Sequence, residues 1–152
     1  MDTVEQKTSV VVQRIYSHLI AVKAKRGITW YSDCFEKGFG MRYNNMFVHF
    51  IRQRNGVVNN IPYILGAIGQ TCNDLKLPPL CCLVVQKETK QCGVKVITSK
   101  DVPENDRPAF AEKVDRPTVY AYNEYPVPGT QQAHDFLNRV MQRLREKGMT
   151  RE

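Results

Sequence analysis

The chain has 152 residues, 42% hydrophobic and 24% charged, with a formal net charge of +7 and a pI near 9.3. That length and balance suit one domain with a core of its own, and they exclude a disordered tail, a collagen-like fibre and a disulfide-stapled miniprotein. No apolar run approaches a membrane span, and the opening MDTVEQKTS lacks the basic stretch and apolar run of a secretory signal. The expectation is therefore a cytoplasmic protein with no membrane partner.

In chain order, residues 3–26 predict a helix, because Val12, Ile15, Leu19 and Val22 follow the spacing of one apolar stripe. Thr3 and Gln6 have the spacing of a capping box. Lys23, Lys25 and Arg26 close the helix where cations suit its dipole, and Gly27 is the expected C′ residue. Ile28-Thr29-Trp30 reads as a brief strand. A short helix over 31–37 follows, closed by Gly38 and Gly40. Residues 43–54 read as another helix, with Met46, Phe47, Phe50 and Ile51 on its apolar face. Asn60 caps a helix over 61–76, on which Ile61, Ile64, Leu65, Ile68, Cys72 and Leu75 share a face. Gly66 and Gly69 each weaken that helix by up to about 1 kcal/mol relative to Ala, and small residues there let a neighbouring backbone come close.

Residues 80–86 have the composition of a buried strand, 87–93 of a polar turn, and 94–98 of a second strand. Together they predict a β-hairpin with a basic tip. Residues 99–117 carry three prolines and many charges and read as a linker, with a helical turn at 109–114. Residues 118–122 (TVYAY) read as a strand. Thr130 caps a last helix over 131–147, striped by Phe136, Leu137, Val140, Met141 and Leu144.

This order is that of an α+β winged helix-turn-helix core with an inserted helix, followed by a short strand and a C-terminal amphipathic helix. The expected division is a basic winged-helix-like domain over 1–98 and an appendage over 99–152, packed on the same domain. Charge follows that division. Residues 1–100 hold 14 basic and 6 acidic groups, a net of +8, whereas 101–152 hold 8 and 9. A basic module with a near-neutral tail fits a protein that binds a polyanion.

In a winged helix the last helix before the hairpin enters the major groove and the wing touches phosphate. The predicted nucleic-acid contacts are Arg42, Asn44, Asn45, Arg52, Arg54, Asn59, Asn60 and Tyr63 on helices, and Lys87, Lys90 and Lys95 on the wing. Arg and Asn can contact guanine and adenine edges, and Lys can neutralise phosphate. A solvated helix end or charged turn explains the same residues without a function. The expected function is non-enzymatic binding of double-stranded DNA, in a phage or mobile-element setting. The alternative is a protein-interaction module, an accessory or inhibitor of a nucleic-acid-processing or defence enzyme, with its last helix as an interface. A homodimer is also compatible with that helix.

Catalytic signals are weak. His18, His49 and His134 share no ligand spacing, and Asp33 and Glu36 form a solvated pair. No phosphate-cradling or nucleophile motif occurs. Cys34, Cys72, Cys81, Cys82 and Cys92 include no Cys-x-x-Cys pair, so no metal or cofactor is expected and free, buried thiols are.

The segment GITWYSDCFEKGFG resembles the opening of winged-helix modules in uncharacterised bacterial and phage proteins. That opening reads G-I-T-Y-x-D-L-A-x-x-L-G, and YILGAIGQTCNDLKLPPLCCLVVQKETKQCG and VYAYNEYPVP are similar to their later L-P-P-L-x-x-L-V-V-x-K-x-T pattern and ending, so the likeness covers roughly residues 27–128. It implies the fold and carries no activity. The same order resembles, more distantly, the C-terminal domain of DNA alkylguanine transferases, whose Pro-Cys-His-Arg-Val motif would fall on Leu80–Val84 with Cys81 as nucleophile. Cys82 and Leu83 stand where that motif has His and Arg, so no group would activate the thiol. Alkyl transfer and a non-catalytic, lesion-sensing relative are the two minor readings that this resemblance leaves open.

Overall fold

A computed structural model describes residues 3–42 and 61–150. Helix α1 (Val4–Ala24) opens on the expected box: the Thr3 hydroxyl accepts from the Gln6 amide and the Gln6 side chain accepts from the Thr3 amide. It buries Val11, Val12, Ile15, Tyr16 and Leu19. Arg26, not Gly27, is the left-handed residue that ends it, at φ 52°, and Gly27 N–H returns to the Val22 carbonyl. Strand β1 (Thr29–Trp30) leads straight into α2 (Tyr31–Phe39), which ends on left-handed Gly40. The helix expected over 43–54 lies outside the described residues.

Helix α3 (Ile61–Asp74) is the centre of the core. It buries Ile61, Ile64, Leu65, Ala67, Ile68, Gly69, Thr71 and Cys72. Left-handed Lys76, at φ 59°, turns the chain, and a 3-10 turn follows Pro78-Pro79 at Leu80–Leu83. Strand β2 (Val84–Val85) then pairs with β1 in parallel, Thr29 beside Val84 and Trp30 beside Val85.

That pairing overturns the winged helix, which needs an antiparallel wing. Gln86 closes a turn by bonding with Gln91 and Lys90, but residues 94–98 form no strand. Side chains engage the backbone that a ladder would use. The Ile97 carbonyl accepts from Cys81 Sγ, the Thr98 carbonyl accepts from Asn73, and the Ser99 amide donates to Asp115. The fold is mainly α, with one two-stranded parallel sheet among the described residues.

The linker and the strand at 118–122 are also corrected. A 3-10 turn (Glu104–Asp106) runs into α4 (Arg107–Phe110), a π-helical turn (Ala111–Asp115) and α5 (Arg116–Ala121). Ala111, Asp115 and Val119 are buried at intervals of four, a helical spacing hidden by the charges around it. The π turn sets two consecutive side chains against the loops. Asp115, 1% exposed, accepts from the Ser99 amide and hydroxyl, while the Arg116 guanidinium donates twice to the Cys82 carbonyl. Helix α6 (Gln131–Glu146), capped by Thr130, then lays Ala133, Phe136, Val140, Met141 and Leu144 on the core cluster that holds Ile15 and Ile68.

Candidate nucleic-acid interface

The sequence assigns base reading to the helix that is now α3, and neighbours engage part of its outer face. The α3 side chains outside the core are engaged by α6 and by the loop after β2. Arg143 donates to Gln70 and pairs with Asp74, and Asn73 holds the Thr98 carbonyl. Tyr63 is 54% exposed, and the Lys147 ammonium stands 5.7 Å from its ring centre. Helix α6 therefore engages the last part of α3, whereas Pro62 and Tyr63 at its start stay exposed.

Of the other nominated residues, Arg42, Lys87, Lys90 and Lys95 are among those described. Asn44, Asn45, Arg52, Arg54, Asn59 and Asn60 lie outside the described residues. Lys87 and Lys90 occupy the exposed turn after β2, and Lys95 is exposed beyond it. A Cβ added to Gly93, at the end of that turn, would lie 3.5 Å from the Tyr31 hydroxyl, so the turn sits by the start of α2. Arg42 follows the other end of α2, about 13 Å along a helix of nine residues.

A different set of cations shares a face. An open groove of about 510 Å³ runs between α1 and α2, lined by Gln13, Arg14, Ser17, His18, Ala21 and Lys37. Arg14 donates to the Gly38 carbonyl at 3.3 Å, in the last turn of α2, where the helix dipole attracts a cation. A Cβ on Gly40 would come 3.5 Å from the same guanidinium, so the Arg42 backbone leaves the helix close by. Lys7 and Lys25 are exposed on α1, and Lys7, Arg14 and Ala21 recur every seven residues, which puts them on one stripe.

His18 is the titratable member. Its Nε2 lies 2.8 Å from the Thr29 hydroxyl, which donates in turn to Asp33 at 3.4 Å. Burial lowers its pKa, Lys37 lowers it further, and Asp33 opposes both. A smaller groove of about 200 Å³ adjoins through Gln13 and Ser17 and reaches Thr130 and His134 at the start of α6. No carboxylate lines either groove.

The sequence reading missed Arg14, His18 and Lys37 as a set. The available signal was the seven-residue spacing from Lys7 to Arg14 to Ala21 on the polar side of the first helix, a side given no role. Joining Lys37 to that stripe needs the α1–α2 packing, which no spacing within either helix reveals.

The thiols are structural. Burial pushes Cys34 and Cys72 up to about 12 and holds Cys81 and Cys82 well above the ordinary thiol range. Cys81, the residue aligned with an alkyltransferase nucleophile, donates to the Ile97 carbonyl and is 4% exposed. Cys92 is also raised by burial, although Arg116 beside it pulls the other way. Among the described residues no group of three or more His, Cys, Asp or Glu is placed to hold a metal ion, and no helix is long and apolar enough to cross a membrane. No protein-family model, curated protein or solved structure matches the chain.

Proposed function

We propose that this chain is a non-enzymatic DNA-binding protein that grips the phosphate backbone of double-stranded DNA through the outer face of α1 and the end of α2. The observation that carries this reading is the groove that brings Arg14 and Lys37 together without a carboxylate. Ser17 and Ala21 are small, so a phosphate can come close to the helix between them. Arg14 is already oriented by the Gly38 carbonyl, which lowers the entropy lost on ordering it. Lys7, Lys25 and Arg42 extend the positive field beyond the groove. Binding of this kind positions the protein by charge and reads little sequence.

Fluorescence anisotropy with a labelled random duplex tests it, at roughly 50 mM and then 200 mM salt. Four contacts, from Lys7, Arg14, Lys25 and Lys37, weaken affinity about 100-fold across that range. Changing Arg14 and Lys37 together to Gln halves the logarithmic salt slope, so the same interval costs only about tenfold. No binding at the lower salt, or an unchanged slope in the double variant, overturns the reading.

A further inference from the structure

Helix α6 has two working flanks. His134 and Leu137 face the α1 groove, whereas Gln132, Asp135, Phe136 and Arg139 line a second cleft on the other side. This cleft has a volume of about 700 Å³, within the range of ligand sites. The end of α3 and the 122–127 segment form its other walls. Half-buried Leu75 and Leu77 and exposed Val127 give it an apolar lining over the buried Tyr125 and Phe136, and Glu124 and Asp135 stand exposed in it.

The walls are built before any ligand arrives. The Tyr125 hydroxyl donates to the Pro78 carbonyl at 2.5 Å, and its ring meets Tyr122 edge-on at 4.8 Å between centres. The Tyr16 hydroxyl, inside the core, holds the Pro126 carbonyl at 2.5 Å. Val127, which also lines the cleft, is 62% exposed, an apolar side chain left for something else to cover. Two carboxylates against one guanidinium, Arg139, leave the lining acidic by one charge, and the Lys23 ammonium stands 5.9 Å from the centre of the Tyr125 ring behind it.

We propose that this cleft docks a short segment of another protein, one that presents an apolar side chain beside a lysine or arginine. The apolar lining takes the anchor, Glu124 and Asp135 take the cation, and Arg139 is available to a backbone carbonyl. The cleft is open to solvent, which suits a segment held along one side. Charge selects the occupant, because an acidic peptide would meet two carboxylates against the single guanidinium of Arg139. This surface is separate from the α1–α2 face, so neither proposal depends on the other.

The test is an amide-resonance titration of the full chain with acetyl-Leu-Lys-Leu-amide, acetyl-Leu-Glu-Leu-amide and n-butylamine. The lysine peptide is expected to shift Leu77, Asn123, Tyr125, Val127 and Phe136 saturably. The glutamate peptide is expected to bind about fivefold more weakly, the worth of one exposed ion pair. Glu124→Gln with Asp135→Asn should remove that preference, and the unshifted remainder of the spectrum reports that the variant is folded. No saturable shift, shifts that map elsewhere, or equal affinity for the two peptides overturns the proposal. So does butylamine binding as tightly as the lysine peptide, which would make the cleft a site for small amines.

Discussion

Gly66 and Gly69 lie one helical turn apart on α3, and replacing each with alanine should change stability in opposite directions. A Cβ on Gly66 meets nothing within 4 Å, so Gly66→Ala gains helix propensity and little else. That gain is about 0.5–1 kcal/mol. A Cβ on Gly69 would stand 2.6 Å from Cys81 Sγ and 2.9 Å from Ile97 Cβ. Neither neighbour can easily give way. Cys81 is 4% exposed and its thiol is bonded to the Ile97 carbonyl, in the loop that also bonds to Asn73 and Asp115. Overpacking of this kind costs about 1–3 kcal/mol, and two contacts below 3 Å place the cost in the upper half of that range. After the propensity gain, Gly69→Ala should be destabilising by about 1–2 kcal/mol. The two variants should differ in thermal midpoint by roughly 5–10 °C, since a domain of this size moves a few degrees per kcal/mol. Urea unfolding followed by far-ultraviolet circular dichroism reads the difference directly. In a Cys81→Ala background the Gly69→Ala penalty should shrink, because the closest clashing atom is gone. A Gly69→Ala protein as stable as the parent, with an unchanged denaturant slope, would refute the close approach of α3 to the 96–98 loop.

Five further outcomes are expected. The lowered pKa of His18 makes its stabilising contribution complete above about 6.5, and that contribution is lost as pH falls from there through the folded value. Bound phosphate favours the charged ring, so DNA affinity should rise as pH falls from about 7.5 to 5.5, with the lowered pKa of His18 placing most of the rise at the acid end, and His18→Gln should flatten it. Native protein at pH 8 should react slowly with a thiol reagent such as Ellman's, and all five thiols should react once the chain is unfolded; one fast native thiol would contradict the burial of the set. Lys76→Gly should raise the unfolding midpoint by about 0.5–1 kcal/mol equivalent, because a non-glycine residue now holds φ 59°. Asp115→Ala should lower stability by about 1–3 kcal/mol, since it takes the acceptor from both the amide and the hydroxyl of Ser99; an unchanged urea midpoint would show that the 97–99 loop is held by other bonds.

What could be read from the sequence was whatever one segment decides by itself. The α1 stripe and capping box, the brief strand before α2, the apolar face of α3 and the stripe of α6 all follow from periodicity and end signals within each stretch. The sheet did not. Leu80–Val85 has a strand's composition, but Pro78-Pro79 starts it as a 3-10 turn, and its last two residues pair with Thr29 and Trp30, more than fifty residues earlier. Residues 94–98 have strand-like alternation, yet Asn73, Cys81 and Asp115 hold backbone groups of residues 97–99 from outside the segment. In 107–121 the prolines looked like breaks, but Pro108 and Pro117 sit near the starts of α4 and α5, where a missing N–H costs little.

The candidate site shows the same limit from the functional side. A helix with apolar residues on one face and Gln70, Asn73 and Asp74 on another has the profile of a DNA-reading element, and the profile is equally that of a helix clamped between neighbours. What separates the two is Arg143, seventy residues away, which takes Gln70 and Asp74 at once. That clamp also redistributes the charge. Arg143 pairs with Asp74 and Arg145 with Glu5, so two α6 arginines secure that helix to α3 and to the first turn of α1. Arg14 and Lys37 sit instead around a groove with no acidic liner, and Arg14's hydrogen bond is to a carbonyl that leaves its charge uncompensated. A phosphate gains most from cations whose positive charge is not already matched by a fixed carboxylate. On that ground we assign the proposed DNA-binding face to α1 and α2, and the proposed peptide to the cleft between Asp135 of α6 and Glu124 of the segment before it.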